Sequence, residues 1–189
     1  MIAVDTTHQT QSICFKQGDA LRGFHGQRSI FSIQDVVADH PGMLKDADVL
    51  LANIGPGQLT ATRVGLAFVQ GLACTLSVPV YGIKQSMLRT AWQYWQFGPG
   101  QYRVSFPIDS KHHACAVYEW SDETFKVIQE DTLLPSTDKP DDAFPVESAA
   151  MLMCDLYLWL QKRDLVDVLP KELVPIYLRP AVTPKSESC

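Results

Sequence analysis

The chain has 189 residues, 46% of them hydrophobic, and a formal net charge of −5. Such a length and apolar content suit one compact domain or two small lobes with a true core, and they argue against wholesale disorder. The acidic balance opposes unaided binding of a polyanion, because nucleic-acid affinity comes mostly from phosphate neutralisation by Lys and Arg, so a role on RNA is expected to run through a partner.

Residues 1–5 and 12–16 read as strands joined by a polar turn, and 20–24 as a third strand after Gln17-Gly18-Asp19. Residues 29–38 carry Ile30, Ile33, Val36 and Val37 at near-helical spacing, and His40-Pro41-Gly42 ends them. The continuous apolar run at 47–53 predicts a strand buried on both faces. After the sharp loop Gly55-Pro56-Gly57, residues 59–77 predict an uninterrupted helix with Ala61, Gly65, Ala67, Gly71 and Ala73 in its body. Glycine costs a helix roughly 1 kcal/mol against alanine and is kept where another backbone comes very close. A strand over 78–83 and a helix over 86–95 follow. The alternation of strand and helix argues an α/β layer structure with helices covering a sheet.

Gly98-Pro99-Gly100 divides the chain into units 1–100 and 101–189. The second unit reads as strands at 103–108, 114–120 and 125–129, an exposed Pro- and Asp-rich loop at 136–145, and an apolar helix at 146–161. Residues 172–182 form a closing segment that can pack back on the first unit, and 184–189 read as frayed. No apolar stretch approaches the roughly 20 residues of a membrane span. The opening residues read as a strand rather than a signal peptide. Five dispersed cysteines without a CxxC pair suggest reduced thiols in a cytoplasm and no disulfide framework.

The two units begin alike. Ile2-Ala3-Val4-Asp5-Thr6 opens the first and Phe106-Pro107-Ile108-Asp109-Ser110 the second, each followed by a polar turn holding His8 or His112 and a returning apolar strand. Asp and Ser/Thr at strand ends can be plain turn formers. The other reading is a duplicated fold in which Asp5, Thr6 and Asp109 face a nucleotide cleft.

The run Gly55-Pro56-Gly57-Gln58-Leu59-Thr60-Ala61-Thr62-Arg63-Val64-Gly65, continuing to Gln70-Gly71-Leu72-Ala73, resembles the signature GPGSFTGxRxGxxxxxGLA of the TsaB (YeaZ) family. Val4-Asp5-Thr6 and the distant Pro175-Ile176-Tyr177-Leu178-Arg179 agree in order and spacing. The sequence departs from the family at Gln58, Leu59, Ala61 and Lys111, and both the segment before Gly55 and the second lobe are shorter than usual. The resemblance implies an actin-like (ASKHA, RNase H-like) two-lobed α/β fold with a shortened second lobe. It implies a cytoplasmic, non-catalytic subunit that pairs with TsaD, the subunit carrying out threonylcarbamoyl transfer to tRNA, and that is joined by TsaE. A homodimer is expected when TsaD is absent, with tRNA met only through the complex and no membrane involved. The helix after Gly57 is then the docking element, with Thr62, Arg63, Leu66, Phe68, Val69, Gln70 and Ala73 as interface residues and Gly55, Pro56 and Gly57 as a structural loop.

The residues offer little chemistry of their own. None of His8, His25, His40, His112 and His113 form a pair four apart on one helix, so no metal site is expected and the histidines read as exposed turn residues. There is no Walker-type loop before Lys84 and no GxSxG elbow, and Cys115 reads as a core thiol. No cofactor is implied. Asp5 and Asp109 read as relics or turn residues. The competing reading is an actin-like ATPase or carbamoyltransferase that uses both.

Overall fold

Strand β1 (Ile2–Asp5) is buried along its whole length because it has a neighbour on each side: β2 (Thr10–Gln17) antiparallel and β4 (Leu50–Gly55) parallel. β3 (Ala20–Gln27) extends the sheet beyond β2, and β5 (Val80–Lys84) extends it beyond β4, giving the order β3-β2-β1-β4-β5. The computed structural model describes residues 1–27, 32–135 and 144–178. The expectations for residues 29–31, for the loop at 136–143, and for Arg179 and everything after it lie outside those residues.

The period of two along each strand sends alternate side chains to two separate cores. Ile2, Val4, Ile13, Leu50, Ala52 and Ile54 face α1 (Ile33–Asp39) and α2 (Leu59–Leu76). Ala3, Cys14, Leu51 and Ile83 face the other way, toward α3 (Gln85–Phe97) and α4 (Ala149–Gln161). The second sheet is an antiparallel meander of β6 (Gly100–Pro107), β7 (His112–Trp120) and β8 (Phe125–Pro135). It lays Phe106, Tyr118 and Trp120 against the same helices. Trp120 stacks on Tyr94 of α3 with centroids 5.8 Å apart and meets Trp159 of α4 edge-on at 5.3 Å.

The helix pair is therefore shared between the sheets. α4 follows the second sheet in sequence yet packs on β1, β2 and β3, while α3 precedes it and packs on β6 and β7 as well as β4 and β5. Ala150 N–H donates to Ser12 Oγ at 3.1 Å, and the buried thiols of Cys14 and Cys154 share a hydrogen bond across the same seam. One apolar core thus continues across residue 100.

The expectation that no apolar stretch approaches a membrane span needs correction. By length and composition alone α2, with 18 residues and a mean hydropathy of 1.3, is apolar enough to cross a membrane. The long apolar stretch was hidden from a reading of unbroken runs by Thr60, Thr62, Arg63 and Gln70. Leu156 of α4 lies fully buried in the shared core. Leu156→Ala is expected to destabilise the chain by about 2–5 kcal/mol, the sum of lost transfer energy and a cavity, read as a lower urea midpoint in tryptophan fluorescence.

Candidate functional site

The carboxyl ends of β1 and β4 meet where the Asp5-Thr6-Thr7 turn lies on the Gly55-Pro56-Gly57 loop. Asp5 is fully buried, and its Oδ1 accepts from Thr7 N–H at 2.8 Å and from Thr7 Oγ1 at 2.7 Å. Its Oδ2 is buried and meets no donor among the described residues. Thr6 Oγ1 donates to the Ala61 carbonyl at 2.7 Å, and Gln58 N–H donates to the Thr7 carbonyl at 2.9 Å. The glycines are explained by this approach. A methyl group on Gly57 would lie 2.7 Å from Thr7 Cβ, and one on Gly65 only 2.1 Å from Thr6 Oγ1. Gly55 has a φ of +90°, a backbone state that disfavours a side chain, and precedes a cis peptide bond to Pro56. Behind the loop, buried Asn53 donates through Nδ2 to Gln85 Oε1 and accepts from Gly55 N–H at 3.0 Å. Sequence reasoning missed this pair, whose only trace is a polar residue interrupting an apolar strand.

The distant Pro175-Ile176-Tyr177-Leu178 segment closes on the same region. Ile176 N–H donates to the Ile54 carbonyl at 2.9 Å. Arg63 Nε donates to Tyr177 Oη at 2.7 Å, with the guanidinium 5.2 Å from the ring centroid, and Gln70 Nε2 donates to the Leu173 carbonyl at 3.4 Å. Arg63, expected as an interface residue, thus takes the phenol of the chain's own closing segment.

The predicted interface residues divide. Thr62, Leu66 and Val69 are 2%, 3% and 1% exposed and turn onto the chain's own sheet, so they cannot form an outer face. Thr62 Oγ1 donates to the Gln58 carbonyl at 2.9 Å. Phe68 and Ala73 are half-buried along the edge of that core. Arg63 and Gln70 are exposed. The outward face of α2 is made by Thr60, Val64, Ala67, Gly71, Cys74 and Thr75; sequence reasoning marked Ala67 and Gly71 as small residues of this helix but placed none of the six among its interface residues. Leu59 and Val64 are 47% and 52% exposed, and Val174 and Tyr177 are exposed large hydrophobics as well.

The second Asp differs from the first. Asp109 is exposed; its Oδ1 accepts from Lys111 N–H at 2.7 Å and His112 N–H at 2.8 Å, and His112 Nδ1 lies 3.0 Å from each carboxylate oxygen. The Lys111 backbone bond and the His112 side chain hold its carboxyl below the usual range. His113 corrects the expectation of exposed histidines: at 4% exposure it is buried in β7. Cys115 is a fully buried thiol that accepts from Arg103 Nε at 3.2 Å.

A family model described as "TsaD: tRNA N6-adenosine threonylcarbamoyltransferase" matches residues 23–154, more than half of the chain. The Escherichia coli K12 "tRNA threonylcarbamoyladenosine biosynthesis protein TsaB" is 28% identical over 120 residues, which are 59% of this chain and 50% of that protein. The chain thus aligns with only about half the length of this curated relative. A tRNA N6-adenosine threonylcarbamoyltransferase of Chlorobium chlorochromatii is 43% identical over 54 residues, 28% of this chain and 15% of its own. Among solved structures, YeaZ from Pseudomonas aeruginosa superposes with a TM-score of 0.70 at 15% identity, covering 94% of this chain and 98% of its own. That likeness shows the fold, and the actin-like α/β architecture expected from the motifs is the one observed.

Gly65→Ala is expected to destabilise by about 1–3 kcal/mol through overpacking. In a Thr6→Ala background the penalty should shrink, giving a non-zero coupling in a double-mutant cycle measured by urea denaturation; strict additivity would refute the contact as the cause.

Proposed function

The chain belongs to the TsaD family and is of its TsaB (YeaZ) kind, and on that premise we propose that it is a non-catalytic subunit that pairs with TsaD in forming threonylcarbamoyladenosine on tRNA. The observation that carries this reading is the outward face of α2. A helix of 18 residues is about 27 Å long at 1.5 Å per residue. Only its inner positions are covered, and the outer ones are small or apolar. Ala67, Gly71 and then Cys74 or Thr75 follow at spacings of three or four, so a partner helix can approach closely there. Leu59 and Val64 at one end offer the apolar area that a specific interface needs at its centre.

The remaining roles follow from the same reading. TsaE joins the pair, and the net charge of −5 leaves tRNA contact to the rest of the complex. Without TsaD, the same face pairs two copies across a two-fold axis, and the setting is the cytoplasm. Two observations support the absence of catalysis by the Asp pair. The Asp5 carboxylate lies fully buried beneath Thr7, and the Asp109 oxygens serve their own turn and His112.

Ala67→Glu and Gly71→Glu place a carboxylate on the outer face without touching the core. Each is expected to weaken TsaD binding by at least about 2 kcal/mol, roughly thirty-fold, in co-purification with TsaD of the same organism, and to lower tRNA modification in the reconstituted complex. Retained binding in both variants would show that α2 is not the docking face. Turnover by the isolated chain, or ATP and Mg²⁺ binding abolished by Asp5→Ala, would overturn the non-catalytic reading.

A further inference from the structure

A second site lies on the other side of the first sheet, between the β5–α3 junction and the second sheet. Strand β8 is irregular there. Its Thr132 pairs with Cys115 and its Gln129 with Val117, so β8 spends one residue more than β7 over this stretch. In a regular strand Glu130 and Asp131 would point to opposite faces; a bulge re-aims side chains, and here both meet the start of α3. Glu130 Oε2 lies 2.6 Å from Lys84 Nζ, and Asp131 Oδ2 accepts from Ser86 Oγ at 3.0 Å. Ser86 Oγ lies 3.5 Å from Tyr118 Oη. Asp131 Oδ1 is buried with no donor of its own among the described residues, and burial pushes this carboxyl up to about 6 against the opposing pull of Ser86 and Lys84.

Beside this cluster is a cavity of about 340 Å³, at the lower end of the roughly 300–1,000 Å³ typical of small-molecule sites. Lys84, Glu130 and Tyr118 supply its polar edge, and Met87, Phe125, Val127 and Leu169 are among its apolar walls. Tyr118 and Phe125 stack on each other at 6.2 Å. The cavity combines one ammonium and one carboxylate 2.6 Å apart, a further carboxylate one residue along, and an apolar pocket. An opposed charge pair next to apolar walls is complementary to a zwitterionic head on an apolar body.

We propose that this cavity binds a free α-amino acid with an apolar side chain, its carboxylate on Lys84, its ammonium on Glu130, and its side chain among Met87, Phe125, Val127 and Leu169. Asp131 is a positioning residue: it adds negative charge behind Glu130 and holds Ser86. The site is independent of partner docking, since α2 and α3 cover opposite faces of the first sheet. Its failure would leave the TsaB reading untouched.

The test is calorimetric titration of the full chain with three ligands of equal skeleton: L-leucine, 3-methylbutylamine with only the ammonium, and 4-methylpentanoate with only the carboxylate. L-leucine is expected to saturate with a Kd of roughly 0.1–1 mM, and each half-headed ligand to bind at least about ten-fold more weakly. Lys84→Met and Glu130→Gln should each weaken leucine by about ten-fold, and the exchange Lys84→Glu with Glu130→Lys should recover part of the loss. No saturable heat from leucine, or equal affinity for the three ligands, overturns the proposal. That ligand comparison stands on the unaltered protein, so it decides the matter even if a variant fails to fold.

Discussion

Thr6 and Thr7 lie so close to Gly65 and Gly57 that no side chain fits between them. Through that approach, the Thr6 hydroxyl takes the Ala61 carbonyl and the Thr7 carbonyl takes Gln58 N–H, so the first turns of α2 are fastened to the turn after β1. Once the helix is held there, its rotation is fixed. Ala61, Thr62, Gly65, Leu66 and Val69 face the sheet, and Ala67, Gly71 and Cys74 face outward. The same rotation presents Arg63 to Tyr177, which gives the last described segment its anchor on the helix. Residues far apart in the chain thus serve one purpose: to set which side of α2 is left uncovered.

The sequence made this contact visible without saying which backbone comes close. Glycines inside a helix signal a close approach, and Gly65 has one, to the chain's own turn. Among the described residues Gly71 has nothing within 4 Å where its side chain would be, and it lies on the open face. A helix apolar nearly all round does not disclose from composition which stripe meets its own sheet. That is why Leu66 and Val69, the more hydrophobic choices, belong to the core while alanine and glycine are left outside. The strands and helices were legible for a simpler reason: their apolar periods are long and bounded by Gly and Pro, and only their ends differ by a few residues.

The repeated opening of the two units was also legible, and its consequence was not. Both hairpins form, and in both the Asp carboxylate caps the turn that follows. Their settings differ because β1 is central in a five-stranded sheet, whereas β6 is an edge strand of a three-stranded one. Asp5 is therefore enclosed and Asp109 is not. The bulge in β8 was out of reach of the sequence for a related reason. The sequence reading ends that strand at residue 129, before Glu130 and Asp131. Only the pairing with β7 shows that the strand runs on to Pro135 with both carboxylates brought round to α3.

β5 ends at Lys84 and α3 begins at Gln85, so no loop separates them. The first turn of α3 is thereby held at the carboxyl ends of the parallel strands, where open α/β sheets gather their ligands. Asn53, Gln85, Ser86 and Lys84 collect there for that reason. The two surfaces that result lie on opposite faces of the sheet, yet one stretch of chain touches both. Leu169 and Pro170 line the cavity, and Pro170 accepts from Gly82 N–H. A few residues on, Leu173 and Tyr177 are held by Gln70 and Arg63 of α2. The segment from Leu169 to Tyr177 is thus fastened to β5 at one end, through Pro170 and Gly82, and to α2 at the other, through Leu173 and Tyr177.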